Sequence, residues 1–290
     1  MKHLSPRGML IMSMTVFGTI GLFVRNISLP SGEIALYRAV LAALLISGFL
    51  MLKGKNLDFA AMRKQLPVLL GSGAAMGINW ILLFEAYRYT TVSVATLSYY
   101  FAPVIVTAVS PLLFREKLTA KQLICFVMST VGLVMITVSG DMSKGGTDLL
   151  GICCGLGAAC FYAGVVLMNK FVKDVDGIQR TLIQFFAAIL VLVPYVLCTE
   201  GINLGTLQAK GWICLLVVGL FHTGVTYCLY FSALKDLPGQ KAAILSYIDP
   251  LVAVLISVMV LGEEMGLLQV VGGLLILGFT LWNEISGTKE

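Results

Sequence analysis

The chain has 290 residues, 58% of them hydrophobic and only 12% charged, with a formal net charge of +5 and a mean hydropathy of +0.94. A soluble globular domain carries about 25% charged residues, so these values exclude an ordinary soluble enzyme and indicate a chain that dissolves in lipid. The basic residues are scattered over short connections and not gathered on one face, which argues against nucleic acid as a partner.

Ten apolar stretches follow one another, near residues 8–25, 33–52, 67–87, 93–113, 119–139, 148–170, 178–199, 211–233, 239–261 and 265–283. Each approximates the roughly 20 residues that carry a helix across about 30 Å of hydrocarbon. Helices are expected because lipid offers backbone amides no partners. The predicted fold class is therefore all-α integral membrane, with ten transmembrane helices. The first stretch follows Lys2 and Arg7, is long enough to span and lacks a small-residue cleavage site, so it is expected to stay as the first helix.

Lys and Arg bias in short loops sets orientation. With the N-terminus inside, cytoplasmic segments hold Lys2, Arg7, Lys53, Lys55, Arg63, Lys64, Arg115, Lys117, Lys121, Lys170, Lys173, Arg180, Lys235, Lys241 and Lys289, while the other side holds Arg25, Arg88, Lys144 and Lys210. The expectation is a multi-pass protein of the inner (plasma) membrane with both termini cytoplasmic.

The second half echoes the first. GINWILLFEA (77–86) aligns with GVTYCLYFSA (224–233), YYFAPV (99–104) with SYIDPL (246–251) and LFREKL (113–118) with VLGEEM (260–265), all at one offset. Gly77/Gly224, Phe84/Phe231, Tyr100/Tyr247, Pro103/Pro250 and Glu116/Glu263 coincide, which apolar bias alone would not produce, so the halves read as a duplication. Residues 1–140 form the first repeat and 141–290 the second, joined by DMSKGGTD (141–148). Five helices per repeat place the halves inverted in the bilayer, an architecture of carriers with a site near the midplane.

Pro103 and Pro250 interrupt the fourth and ninth spans, and such breaks are tolerated where they face protein or a wet cavity. Asp249 lies about ten residues into the ninth span, where a carboxylate is costly unless paired, protonated or wet. It is the candidate proton-coupling residue, against a structural reading as a cap on the backbone freed by Pro250. His222 and Thr226 in the eighth span, and Asn79 and Trp80 in the third, are candidate substrate-binding groups; interhelix hydrogen bonding explains His222 and Asn79 as well. Arg38 in the second span is a candidate clamp for a substrate anion, or the partner of Glu33 or Glu85, and Gln184 takes the matching place in the seventh. Tyr99, Tyr100 and Tyr247 flank the proline breaks and complete the substrate-binding set, whereas Tyr87 and Tyr89 read as interfacial anchors. Glu116 and Glu263 read as loop or capping residues.

Gly73 with Gly77, and Gly151 with Gly155, are spaced for close helix contact, either as a rocking surface or as static packing. The seven cysteines all fall within spans and none forms a C-x-x-C pair, so they read as small packing residues, with no metal and no cofactor expected.

The chain resembles the EamA group of the drug/metabolite transporter superfamily over nearly its whole length. The resemblance rests on LYRAVLAALL around Arg38, on FEAYRYTTVSVATLSYYFAPVIV with Pro103, on FREKLT and on SYIDPLVAVLISVMVLGEEM. SYYFAPV and SYIDP look most like the branch that handles carboxylates, amino acids and amines. The resemblance implies a ten-helix carrier with a central cavity that moves small metabolites out of a bacterial cell. Ala102 stands where the second half has Asp249, which departs from any scheme with two coupling carboxylates.

Other classes are disfavoured. A membrane enzyme needs a clustered nucleophile, acid and base or metal ligands, and the chain has two histidines and no such motif. A channel would show rings of like charge. A flippase or exporter of an amphiphilic or lipid-linked substrate shares the fold and stays open beside a carrier of amino acids, carboxylates or amines working by alternating access. The expected partners are a small-molecule substrate and the lipid bilayer, with a homodimer left open.

Overall fold

In the computed structural model the structure describes residues 5–54, 62–114, 119–138, 147–172, 175–199, 201–237 and 245–286. The described residues are helical or lie in turns and irregular connections, with no strand among them. In chain order they form α1 (Pro6–Gly18), α2 (Ile20–Val24), α3 (Ser31–Leu52), α4 (Leu66–Tyr89), α5 (Val92–Tyr99), α6 (Ala102–Phe114), α7 (Ala120–Val138), α8 (Thr147–Asn169), α9 (Gly177–Cys198), α10 (Ala209–Leu216), a π-helical segment (Val217–Val225), α11 (Thr226–Asp236), α12 (Ile248–Met259) and α13 (Leu267–Ser286). Among the described residues, seven helical stretches are long and apolar enough to cross a membrane: residues 6–24, 31–52, 66–89, 92–109, 148–169, 177–198 and 209–233. Shorter apolar helices cover 120–136, 248–259 and 267–283. Glu116, the boundary between residues 140 and 141, and Lys2, Lys55, Arg115, Lys117, Lys144, Lys173, Lys241 and Lys289 lie outside the described residues.

Local chemistry sets the helix starts. Ser5 caps α1 by accepting from the Gly8 amide, with Pro6 in the first turn where its missing N–H costs nothing. Thr91 caps α5 through the Val94 amide, and Asp176 caps α9 through the Ile178 amide. The proline breaks are cleaner than an interior kink. The helix stops at Tyr99 and restarts at Ala102, so Pro103 sits in the first turn of α6; Pro250 likewise sits in the first turn of α12. The residues at the two breaks share one backbone geometry, φ −70° and ψ 5° at Tyr100 and φ −71° and ψ −8° at Tyr247.

Elements from before residue 139 pack chiefly on elements from after residue 146. α4 lies against α8 and α9, α3 against α9 and the π segment, and α1 against α11 and α12, while α7 pairs with α13. The largest buried cluster joins Ile34, Ala39 and Ile46 of α3 to Trp80 and Phe84 of α4, Phe185 and Leu192 of α9 and Val218 of the π segment. Large apolar side chains face outward all round, with Leu44 66%, Leu190 70% and Leu274 66% exposed. Water penalises such a belt and lipid does not. The cysteines divide between these environments: Cys125 and Cys214 are buried, Cys154 and Cys228 half-buried, and Cys153, Cys160 and Cys198 exposed on apolar helices.

Both expected glycine pairs mark close crossings. A β-carbon on Gly73 would lie 2.6 Å from Ala187 Cβ of α9, and one on Gly151 would lie 2.7 Å from Thr90 Cβ. A third crossing brings α7 against α13 at Gly132, where an added β-carbon would meet Leu275 Cβ at 2.9 Å. Gly132→Val is therefore expected to cost about 1–3 kcal/mol through overpacking. It should lower the thermal melt in detergent, while Gly48→Val, with nothing within 4 Å of its β-carbon, leaves the melt unchanged.

Candidate functional site

A cavity of about 330 Å³ opens among α1, α3, α4, α5, α8, α9, α11 and α12. Its chemistry is the guanidinium groups of Arg38 and Arg180, the carboxylate of Asp249 and a wall of aromatic rings. Of the residues expected from the sequence, Arg38, Asn79, Trp80, Tyr99, Tyr100 and Asp249 line it. His222, Thr226 and Tyr247 do not.

Arg38 is the most constrained of these groups. It is 4% exposed, donates from Nε to Thr223 Oγ1 at 2.7 Å, and lies with its guanidinium carbon 4.5 Å from the centre of the Trp80 ring and 5.5 Å from that of Phe84. Neither carboxylate suggested by the sequence reaches it. Glu33 accepts from the Asn203 amide at 2.7 Å and from Tyr37, and Glu85 pairs with Arg88. The π segment explains how Arg38 is held: Thr223 Oγ1 donates to the Val218 carbonyl five residues back, at 2.8 Å, which aims its lone pair at the guanidinium. Local π turns recur at functional sites because they displace side chains from the ordinary helical register.

Asp249 stands on the other side of the cavity, partly exposed, and accepts from Tyr100 Oη at 2.6 Å. Tyr99 meets Tyr100 edge to face at 5.8 Å and Tyr162 at 5.4 Å. A second aromatic series runs Trp80, Phe185, Tyr227, Phe17, with successive ring centres 5.4, 5.4 and 5.2 Å apart. Tyr87, Tyr99 and Tyr227 line the same cavity as Arg38 and Asp249. Asn79 donates to the Ala158 carbonyl at 2.6 Å, which joins α4 to α8 and uses one side of its amide.

The expected residues outside the cavity have structural positions. His222 Nε2 lies 2.8 Å from Thr19 Oγ1, at the break between α1 and α2, and its Nδ1 lies 3.3 Å from the Val217 carbonyl oxygen. The ring thereby pins the kink in the first span to the π segment. Thr226 donates to the Phe221 carbonyl at 2.7 Å, again five residues back, and Tyr247 is buried at the break before α12.

Sequence reasoning passed over several lining groups. Tyr87 lines the cavity and is buried, contrary to its reading as an interfacial anchor, whereas Tyr89 is exposed. Tyr227, Tyr230 and Phe231 lie on one face of α11, a spacing of three and four that was legible as an aromatic stripe. Tyr162 of α8 and Arg180 of α9 carried no such signal. Gln184 lines the cavity too, donating to Ser72 Oγ at 2.7 Å and to Asn169 Oδ1 at 2.8 Å, so it ties α4, α8 and α9 together beneath it.

Comparison with known proteins places this geometry in a family. The profile of the EamA-like transporter family matches residues 7–138 and again 149–283. The uncharacterized transporter YxxF of Bacillus subtilis (strain 168) is 28% identical over 92% of this chain and 85% of its own length. An uncharacterized transporter of Archaeoglobus fulgidus is 28% identical over 95% of both, and protein PecM of Dickeya dadantii is 27% identical over 89% of this chain and 84% of its own. A crystal structure at 14% identity superposes with a TM-score of 0.67 over 96% of each chain, a likeness of fold. The chain belongs to the EamA-like transporter family and is a multi-pass membrane transporter of the drug/metabolite superfamily.

Proposed function

We propose that the protein is a secondary carrier that exports a small polar organic solute of the amino acid, carboxylate or amine class by alternating access. The observation that carries this reading is the buried Arg38 guanidinium, which faces the cavity with no carboxylate within ion-pair distance among the described residues. A buried unpaired cation is costly, and an anionic group on a bound solute offsets that cost. Asp249 across the cavity takes the coupling proton or the solute's ammonium group, and the rings between supply apolar contact.

The apolar stretches and the repeat support ten crossings in two inverted halves, and the distribution of Lys and Arg supports cytoplasmic termini in the inner membrane. Rocking of the halves about the Arg38 and Asp249 level exposes the cavity to each side in turn. The chain contains no phosphate-binding G-x-x-x-x-G-K-[ST] loop, so energy comes from a gradient or from the solute itself.

The test is flux of amino acids, small carboxylates and amines in liposomes holding the purified protein, with and without an imposed pH gradient. Saturable, gradient-driven movement of one class is expected. Silence across the panel in correctly inserted protein, together with movement of a lipid-linked or amphiphilic substrate, would replace this reading with that of a flippase.

A further inference from the structure

One carboxylate gathers chain segments at the end of the bundle where α2, α5 and the α12–α13 turn meet. Glu263, in the turn between α12 and α13, forms an ion pair with the Arg25 guanidinium just after α2. It also accepts from the Val92 amide at the first residue of α5, at 2.9 Å, and from Ser257 Oγ of α12. Arg25 donates from Nη2 to the Thr90 carbonyl at 2.6 Å. The turn is shaped for this contact, since Gly262 takes the left-handed φ of 66° and the Glu263 amide returns to the Ser257 carbonyl at 3.1 Å. The Glu263 side chain is 7% exposed and that of Arg25 31%.

The cluster goes beyond the helix cap expected of Glu263. Apart from Ser257, its partners are Arg25 just after α2 and Val92 at the start of α5, with Thr90 of the α4–α5 turn held through Arg25, so it ties the end of α2 and the start of α5 to the α12–α13 turn. Arg25, Thr90, Val92 and Glu263 do not line the cavity, whose nearest walls on this side are Ile20, Tyr87 and Thr96. The remaining wall runs the other way. Gly151 packs on Thr90 near the start of α8, while the lining residue Asn169 ends that helix, about 27 Å farther along at about 1.5 Å per residue. Arg180 near the start of α9 and Ser246 just before α12 share that far wall.

We propose that the Arg25–Glu263 ion pair is the gate on this side of the carrier. While it holds, the chamber is closed here and communicates through the Asn169 and Arg180 end. Breaking it frees α2 and α5 from the α12–α13 turn and admits solvent past Tyr87 and Thr96. This rests on the alternating-access reading, and on termini inside the gate faces outward.

The experiment places a single cysteine at Thr96→Cys in a full-length chain whose seven native cysteines are replaced, and labels it with a membrane-impermeant maleimide applied to either face of oriented vesicles. With the gate intact, labelling is expected from the far face. Arg25→Gln, which leaves the Glu263 bond to the Val92 amide in place, should raise the labelling rate from the gate face about tenfold, equivalent to about 1.4 kcal/mol, and Glu263→Ala, which removes both contacts, should raise it further. Unchanged gate-face labelling in Arg25→Gln, in protein that melts like its parent, overturns the gate. Labelling that in every variant, parent included, comes equally from both faces also overturns it and speaks for a pore, which removes the carrier reading as well. Because labelling is read without substrate, a gate that behaves as expected in a protein silent toward every tested solute separates the two proposals.

Discussion

Arg38→Gln is expected to reduce flux of carboxylate-bearing solutes at subsaturating concentration about 10- to 100-fold, with little loss for a cationic amine. Hydrogen bonds to a charged group contribute about 1.5–3 kcal/mol, and about 1.4 kcal/mol is a factor of ten. The guanidinium has its Nε committed to Thr223 and its faces against Trp80 and Phe84, which leaves the two terminal nitrogens as a planar fork suited to two carboxylate oxygens. Glutamine keeps much of the side chain's bulk and removes the charge, so the chain should fold and melt normally. Arg38→Lys tests the geometry apart from the charge: a lysine cannot lie flat on Trp80, reach Thr223 and present two parallel donors together. Its flux should fall several-fold, between the parent and Arg38→Gln. Equal losses for carboxylates and cationic amines in Arg38→Gln would mark Arg38 as a packing residue and remove the observation on which the substrate class rests.

The membrane-buried helices were legible because lipid imposes one requirement, length with apolarity, that composition answers directly. Arg38 and Asp249 were legible for the same reason, since a charge at membrane depth is rare and stands out, whereas Arg180, the third charged residue of the chamber, read as a loop charge. What the sequence did not reveal is which face of each helix turns inward, because an almost uniformly apolar helix has little periodic contrast. His222 shows the consequence: a polar residue in mid-span read as a ligand, but the π segment turns it toward Thr19 of the first span and sends Thr223 to Arg38. A shift from α to π register cannot be read from VVGLFHTGV. Tyr87 fails in the opposite sense, since nearness to a span end suggested the lipid interface and the inward face of α4 decided otherwise. Glu263 read as a loop or capping residue, and its ion-pair partner, Arg25, lies 238 positions away (263 − 25) and emerges only from the fold.

Asp249→Asn is expected to abolish the dependence of net flux on an imposed pH gradient while exchange of substrate for substrate persists. Among the described residues the Asp249 carboxylate accepts one hydrogen bond, from Tyr100 at 2.6 Å, and it faces the cavity. Its second oxygen is therefore available to a proton or to a solute's ammonium group. Asparagine keeps the shape and the hydrogen bond to Tyr100 but carries no titrating proton, so the conformational cycle can run while its link to the gradient is lost. The start of α12 also packs closely on the first span. A β-carbon on Gly18 would lie 2.5 Å from the Asp249 backbone carbonyl oxygen, so α1 runs directly against the start of α12, one residue before the Thr19 break. Tyr100→Phe separates the role of the phenol from that of the carboxylate. Loss of one charge-assisted bond, about 1.5–3 kcal/mol, should change the pH at which flux is half-maximal without uncoupling it. If Asp249→Asn remains gradient-driven, Asp249 holds the solute or caps the backbone and the coupling site lies elsewhere in the chamber. If instead both coupling and exchange disappear in a folded protein, the carboxylate is part of the substrate site, and the ammonium group of the solute is the charge it was placed to meet.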